Sequence, residues 1–421
     1  MTYMFTWIPV YAEFVKKLPA YRNRQEELLS ILAEIGINPN EDEDYPGHKI
    51  KLHEIDPYTF LFSLGKPKNN WNKIRVLRKL CEKWELPIVV HDVCGIPAAN
   101  AQKLWMFPYQ YSRTNNEIGR LWDFFQKAEE GKITDADFAD IHSIEAVGKT
   151  KITEALFIQN PFSYLCIDGK TKPFLHKEGI ATNFNTYTEL QTIYEAVRNK
   201  ISLPFYEISH KGHIQVIYGD RQPNYFRIGT KEGDNGPSRL PEMHNNNVVS
   251  IGWPEIGNLD DVEPFNKKHI QKALQDAGYY ENDNRTASRK AGEIYSFVKD
   301  VKPGDFVFAA DGGTIKAIGK VISDHYAYDY DKLEFPHVRC VEWLQKEISD
   351  LYLDEGLRTT VWQYNKEDIL EKIIAYLTSD KLEVLGATSS SQSKDLLTMK
   401  INLILYGPPG TGKTYRTIDH A

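Results

Sequence analysis

The spacing of apolar residues changes character once along this chain, near Leu203. Before it, apolar residues recur every three or four positions. After it, they alternate in short runs broken by Gly, Pro, Asn and Asp. Six such runs are predicted as strands: 213–220 (HIQVIYGD), 224–230 (NYFRIGT), 247–253 (NVVSIGW), 305–311 (DFVFAAD), 314–323 (TIKAIGKVIS) and 337–343 (HVRCVEW). Two helices interrupt them, over 266–277 with Asn266 as the N-cap and over 285–299. The chain is therefore expected to be α+β and multi-domain, a mainly helical N-terminal region followed by a β-rich unit.

Within the helical region, one helix is expected over 11–35, closed by Gly36 and Pro39, and the acidic run Glu41–Asp44 reads as a solvated loop. A basic amphipathic helix follows over 71–84. There Lys73, Arg75, Arg78, Lys79 and Lys83 are interleaved with Ile74, Val76, Leu77 and Leu80. It offers either a nucleic-acid contact or, more commonly for such a pattern, a solvated face. The stretch 147–151 (VGKTK) has a glycine between helical patterns and could present backbone N–H groups to a phosphate. An ordinary helix–helix turn is the preferred reading. A helix over 368–378 and a Gly/Ser-rich linker over 386–394 complete the pass. The expected domains are 1–200, 201–346 with a β core at about 224–346, a connector at 347–395, and 396–421.

Composition narrows the function classes. At roughly 100–200 residues per domain, 421 residues imply several domains. A net charge of −7 excludes a uniformly basic nucleic-acid coat and leaves room only for a local basic groove. Cys81, Cys94, Cys166 and Cys340 form no C-x-x-C pair, so neither a disulfide framework nor a zinc site is expected, which suits a reducing cytoplasm. No basic, apolar leader opens the chain and no run reaches the ~20 apolar residues that span a bilayer, so no membrane partner is expected. His210 and His213 have a ligand-like spacing but lack a third partner, and read as surface-loop residues.

The most specific motif lies at 401–414 (INLILYGPPGTGKT). An apolar run, expected to be a buried strand, leads into Gly407-Pro-Pro-Gly410-Thr411-Gly412-Lys413-Thr414, which fits G-x-x-x-x-G-K-[ST]. The glycines let the backbone wrap an anion, Lys413 sets a cation on the β- and γ-phosphates, and Thr414 offers a hydroxyl to Mg²⁺. Seven residues follow Thr414. No Walker B carboxylate can lie among them, so the chain is expected to be the front of a longer NTPase and inactive by itself.

The words ILYGPPGTGKT resemble the AAA+ class of P-loop NTPases, which implies Mg²⁺ with GTP or ATP and a ring oligomer for the parent protein. In the β-rich unit, 248–262 (VVSIGWPEIGNLDDV), 301–313 (VKPGDFVFAADGG), 315–328 (IKAIGKVISDHYAY) and 337–344 (HVRCVEWL) resemble an EVE-type domain. EVE domains belong to the PUA/YTH-like group, twisted β-barrels that read modified bases. The combination resembles McrB-like subunits of modification-dependent restriction systems, as does 154–175 (EALFIQNPFSYLCIDGKTKPFL) more distantly. The resemblance implies a cytoplasmic reader of modified nucleic acid, DNA in the first instance with RNA open, that acts with an McrC-type nuclease subunit. No nuclease motif is evident here; Asp168-Gly-Lys170 comes closest and lacks a preceding Pro-Asp.

Such a reader encloses a flipped base between aromatic faces and contacts its edge with polar groups. The candidates are Trp253 and Trp343, each at the end of an expected strand, with Tyr326, Tyr328 and Tyr330 alternating on a third segment. Ser250 and Asp311 are candidates for the edge contact. Lys267, Lys268, Lys272, Arg285, Arg289 and Lys290 would meet the backbone. The competing class is a protein-remodelling AAA+ ATPase whose N-terminal region is a substrate adaptor.

Overall fold

The computed structural model describes residues 3–38, 41–97, 104–145, 147–233, 236–262, 264–329 and 334–379. The expected linker, Tyr330 and the whole 401–414 motif lie outside them. The described residues are α+β.

The first lobe is helical. It begins with α1 (Trp7–Lys17) and α2 (Gln25–Glu34). These replace the single expected helix, because Pro19 stands between them in a short 3-10 turn. The acidic run is likewise not a free loop: β1 (Asp42–Tyr45) pairs with β2 (His48–Ile50). Asp42 is buried there, accepting from the Gln110 N–H and from the Arg113 guanidinium. Then come α3 (Pro57–Leu64), α4 (Asn70–Lys83), α5 (Glu117–Glu129), α6 (Asp135–His142), α7 (Lys149–Gln159), α8 (Thr171–Lys177) and α9 (Tyr187–Lys200). They enclose one apolar core that includes Trp7, Phe14, Phe60, Leu77, Phe125 and Phe157.

The last helix of the lobe, α10 (Phe205–Tyr218), corrects the first expected strand. Of its buried residues, Phe205, Ile208, Ser209 and Gly212 follow a 3.6-residue period and His210 lies off that stripe, whereas the β-branched Val216 and Ile217 that suggested a strand are exposed. Phe205 and Ile208 join the helical core.

The second lobe is a curled, mixed sheet. Its strands are β3 (Tyr225–Gly229), β4 (Val248–Ile251), β5 (Phe306–Asp311), β6 (Thr314–Val321), β7 (Ala327–Tyr328), β8 (His337–Gln345) and β9 (Val361–Gln363). The order is β4-β8-β6-β5-β3-β9, with β7 added to β8. Only β3 and β5 run parallel; the other pairs are antiparallel. The five later expected strands are all present. The sheet goes beyond the expected limit at 346, because β9 closes its edge.

Three helices accompany the sheet: α11 (Leu240–Asn246), α12 (Lys267–Asp276) and α13 (Asn284–Lys299). The Asn266 side chain caps α12 by accepting from the His269 N–H at 3.1 Å. Ile294 and Phe297 of α13 pack with Phe226, Ile228 and Val307 to make the second core.

Residues 1–364 form one compact unit. Tyr3, Met4 and Cys94 from the first lobe bury against Val248, Ala327, Val338 and Cys340 of the sheet. Polar bonds run beside this seam. Tyr3 donates to Asp329 Oδ2 at 2.6 Å, His210 Nε2 to the Ile322 carbonyl at 2.9 Å, and the Cys94 thiol to Asp324 Oδ1 at 3.0 Å. The second unit, from residue 365, contains α14 (Glu367–Leu377), as the sequence leads one to expect. No described helix is long and apolar enough to cross a membrane.

Both ends of the Tyr3–Asp329 bond are buried. Tyr3→Phe leaves one acceptor of that carboxylate without its donor, and is expected to lower unfolding stability by about 1–3 kcal/mol in urea denaturation.

Candidate functional site

The Trp253 site is built from the end of β4. This strand is buried along its whole length, so it needs apolar or small residues on both faces, and Val248-Val-Ser-Ile251 supplies them. Gly252 follows because a Cβ there would stand 3.3 Å from the Phe335 ring. Trp253 then takes the left-handed conformation, φ +65°, which costs a non-glycine residue roughly 1–2 kcal/mol.

A buried hydrogen-bond chain holds the residue there. His337, the first residue of β8, faces the Trp253 carbonyl through Nε2 at 3.2 Å. A carbonyl only accepts, so Nε2 carries the proton and Nδ1 offers its lone pair to the Tyr326 hydroxyl at 2.8 Å. The Tyr326 oxygen in turn accepts from the Leu259 N–H at 3.3 Å. Tyr328 closes the ring of contacts by donating to the Pro254 carbonyl at 3.2 Å. The Trp253 indole N–H donates to Tyr280 at 3.3 Å, and the Lys290 ammonium stands 5.9 Å from the ring centroid. Burial pushes His337 down to about 4, so it is neutral at pH 7, as this chain requires.

The sequence-derived candidates divide between this site and others. Trp253, Tyr326 and Tyr328 come together, with Ser250 buried three residues before Trp253 and paired with Val338. The Trp253 indole is packed rather than open, at 9% exposure. Trp343 lies six residues along β8 from His337, roughly 20 Å at the usual rise. It packs edge-on against His244 at 4.8 Å, opposite Gly319. Asp311 ends β5 and pairs with Lys231 at 2.8 Å.

Among the basic candidates, Lys268, Arg285 and Arg289 are exposed and make no ion pair with a described residue. Lys267 is exposed and lies 5.4 Å from the Tyr295 ring centroid. Lys272 pairs with Asp276, and Lys290 is mostly buried against Glu293 at 3.0 Å.

A second aromatic group, not evident from local spacing, lies between α4 and the helices inserted in the sheet. Trp71 of α4 is 6.1 Å from Phe265, which stacks on Tyr295 at 5.7 Å. The Lys299 ammonium sits 3.4 Å above the Trp71 centroid, and Arg75 donates to the Asp260 carbonyl at 3.2 Å. Much of the rest of the α4 charge is spent internally: Arg78 donates to the Val90 carbonyl and Lys83 pairs with Glu34. Lys149 is likewise used within the lobe, on the Phe184 carbonyl and Asn185, in keeping with an ordinary turn at 147–151. A polar cleft of about 290 Å³, lined by Ser112, Thr114, Asn115, Glu117, Arg120 and Ser143 among others, belongs wholly to the first lobe.

His210 and His213 are not surface-loop residues. Both lie on α10 at the seam, His210 buried and His213 2.9 Å from the Lys170 ammonium through Nδ1. Burial and then Lys170 push His213 down to about 4.

Comparison with known families follows the same division into lobes. Residues 7–215 match a family model described as a domain of unknown function, DUF8425, and residues 228–360 match a second, DUF8426. The interval between the matches contains the end of α10 and the start of β3. No curated protein and no solved structure matches the chain.

The titration of His337 has a readable sign. Its folded pKa lies below the unfolded value near 6.5, so between about 4 and 6.5 the unfolded chain binds more protons. The contribution of neutral His337, about 3 kcal/mol, is present above that window and lost as pH falls through it. His337→Asn is expected to flatten this part of the stability–pH profile, measured by urea denaturation at a series of pH values.

Proposed function

We propose that residues 1–364 are the recognition part of an McrB-like AAA+ NTPase and bind nucleic acid, DNA in the first instance, that carries a modified base. The observation that carries this reading is the meeting of two basic segments nearly 200 residues apart in the chain. Trp71 on α4 and Phe265, Tyr295 and Lys299 beside α12 and α13 form one aromatic and cationic group. Half-exposed rings next to ammonium groups suit stacked bases and phosphates together.

The division of labour follows from the geometry. Exposed Lys268, Arg285 and Arg289 supply sequence-independent attraction to phosphates; the last two are one helical turn apart on α13. Selection belongs to Trp253, whose backbone is held by the His337–Tyr326 chain. The curled mixed sheet, with helices inserted after β4, supports an EVE-type, PUA-like barrel. The motor assignment rests on the resemblance of 401–414 to AAA+ P-loops. Gly407, Gly410, Thr411, Gly412, Lys413 and Thr414 would hold a GTP or ATP phosphate chain with Mg²⁺, and the parent ring would act with an McrC-type nuclease.

The test is a binding panel of oligonucleotides carrying cytosine, 5-methylcytosine, 5-hydroxymethylcytosine or N6-methyladenine, read by fluorescence anisotropy across a salt series. Affinity for one modified strand is expected to exceed that for its unmodified counterpart and to fall with salt. The double variant Arg285→Glu/Arg289→Glu should lower the logarithmic salt slope by about 2 and leave the preference intact. Trp253→Leu should remove the preference, a loss of about 1–3 kcal/mol on the modified strand alone. Retention that is absent at every salt concentration would favour the protein-adaptor class instead.

A further inference from the structure

We propose that Glu154, Cys166 and Asp168 hold a single divalent d-block cation of the zinc class. The three side chains come from the second turn of α7 and the loop that returns from it to α8. One ligand atom of each lies within 4.8 Å of the others. Tetrahedral bonds of about 2.0–2.3 Å place ligand atoms about 3.3–3.8 Å apart, so closing on an ion asks each side chain to move by about 1 Å or less.

The loop is fixed in place before any ion arrives. The Leu165 carbonyl accepts from Tyr194 at 2.9 Å, and the Ile167 N–H donates to Thr153 of α7 at 3.0 Å. Asp168 Oδ1 accepts from the N–H groups of Lys170 at 3.0 Å and Thr171 at 2.7 Å, which orients the carboxylate. Such support is what a metal ligand needs from its surroundings.

The group is poorly satisfied by the protein alone. Glu154 is half-buried and makes no hydrogen bond or ion pair with a described residue. The two nearby ammonium groups bond to the Trp105 carbonyl, for Lys151, and to His213, for Lys170, and reach Glu154 only through space. Thr171, held by Asp168 through its N–H, is fully buried and its hydroxyl has no partner among the described residues. Cys166 is fully buried and its thiol is hydrogen-bonded to Asp168, which brings the sulfur and that carboxylate together. A cation would offset the charge of the two carboxylates and displace the thiol proton to solvent, giving a thiolate–dicarboxylate set with a position left open. The sulfur favours zinc-like ions over Mg²⁺ or Ca²⁺.

The proposal is independent of the nucleic-acid reading and is tested without it. The full chain, stripped with a chelator, is titrated with Co²⁺ and then with Zn²⁺. One equivalent of Co²⁺ is expected to give a thiolate-to-cobalt charge-transfer band in the near ultraviolet, which Zn²⁺ removes. Cys166→Ser should abolish the band, whereas Cys81→Ser should keep it. Glu154→Gln and Asp168→Asn, which preserve shape, should each weaken Co²⁺ binding at least tenfold while circular dichroism stays unchanged. The proposal is overturned if no band forms or if it survives Cys166→Ser. It is equally overturned if both carboxamide variants bind as the parent does, or if binding depends on His213 instead.

Discussion

The segment between β6 and β8 meets both lobes within eight residues. Its first carbonyl, of Ile322, accepts from His210 on α10, and Asp324 accepts from the Cys94 thiol. His325 sets its ring against Trp71 of α4, and Tyr326 turns towards the sheet and delivers its proton to His337. Asp329 then returns to the first lobe through Tyr3. One short stretch thus fixes the lobes against each other and sets the conformation of Trp253. A change on one side of it has a covalent route to the other: moving His210 moves Ile322, four residues from the hydroxyl that orients His337. The aromatic group at Trp71 depends on the same docking, because its rings come from both lobes.

Most of the polar groups around this buried segment are matched, although His210 Nδ1 and Arg339 Nε have no hydrogen-bond partner among the described residues. Burial raises the cost of the Asp324 charge, yet His210, Cys94 and His213 around it hold its carboxyl below the ordinary range. Arg339 on β8 is almost fully buried and is lowered by that burial; it donates to the Val298 and Ser323 carbonyls at 3.3 and 2.8 Å. An unmatched polar atom in such a place would cost about 1–3 kcal/mol. These bonds therefore act less as a source of net stability than as a test that only one arrangement of the lobes passes.

How much of this was legible in the sequence depends on whether the deciding contact is local. The strands around Phe226, Val249, Val307, Ala317 and Val341 could be read because alternation and turn residues are local properties. The run 213–220 could not, because Ile214, Val216 and Ile217 favour a strand by propensity while the helix begun at Phe205 continues through them. Asp42 reads as one of four solvated acids; its burial is decided by Arg113, 71 residues away. In the site, Trp253 stands out because it ends a strand. Trp343 ends a strand too, but the antiparallel pairing of β4 with β8 places His337, not Trp343, beside it. His337 and Tyr280 carry no local signal at all. Their roles exist only once the sheet has curled and α13 has closed over it.

The charge balance shows why counting basic residues is a poor guide to a binding face. Lys272 and Lys290 lie on the same insert helices as Arg285 and Arg289, and the four are equivalent on paper. In the folded chain Lys272 is neutralised by Asp276 and Lys290 by Glu293. Glu293 also accepts from the Thr360 N–H at 2.7 Å, so Lys290 belongs to the closure of the sheet at β9. Arg285 and Arg289 are exposed and make no ion pair with a described residue, although Asp283 feels the charge of Arg289, and their field reaches solvent. At physiological salt that field extends only about 8 Å. A net charge of −7 spread over the rest of the surface therefore does little to oppose it, and an acidic chain can still offer a phosphate chain a local place to dock.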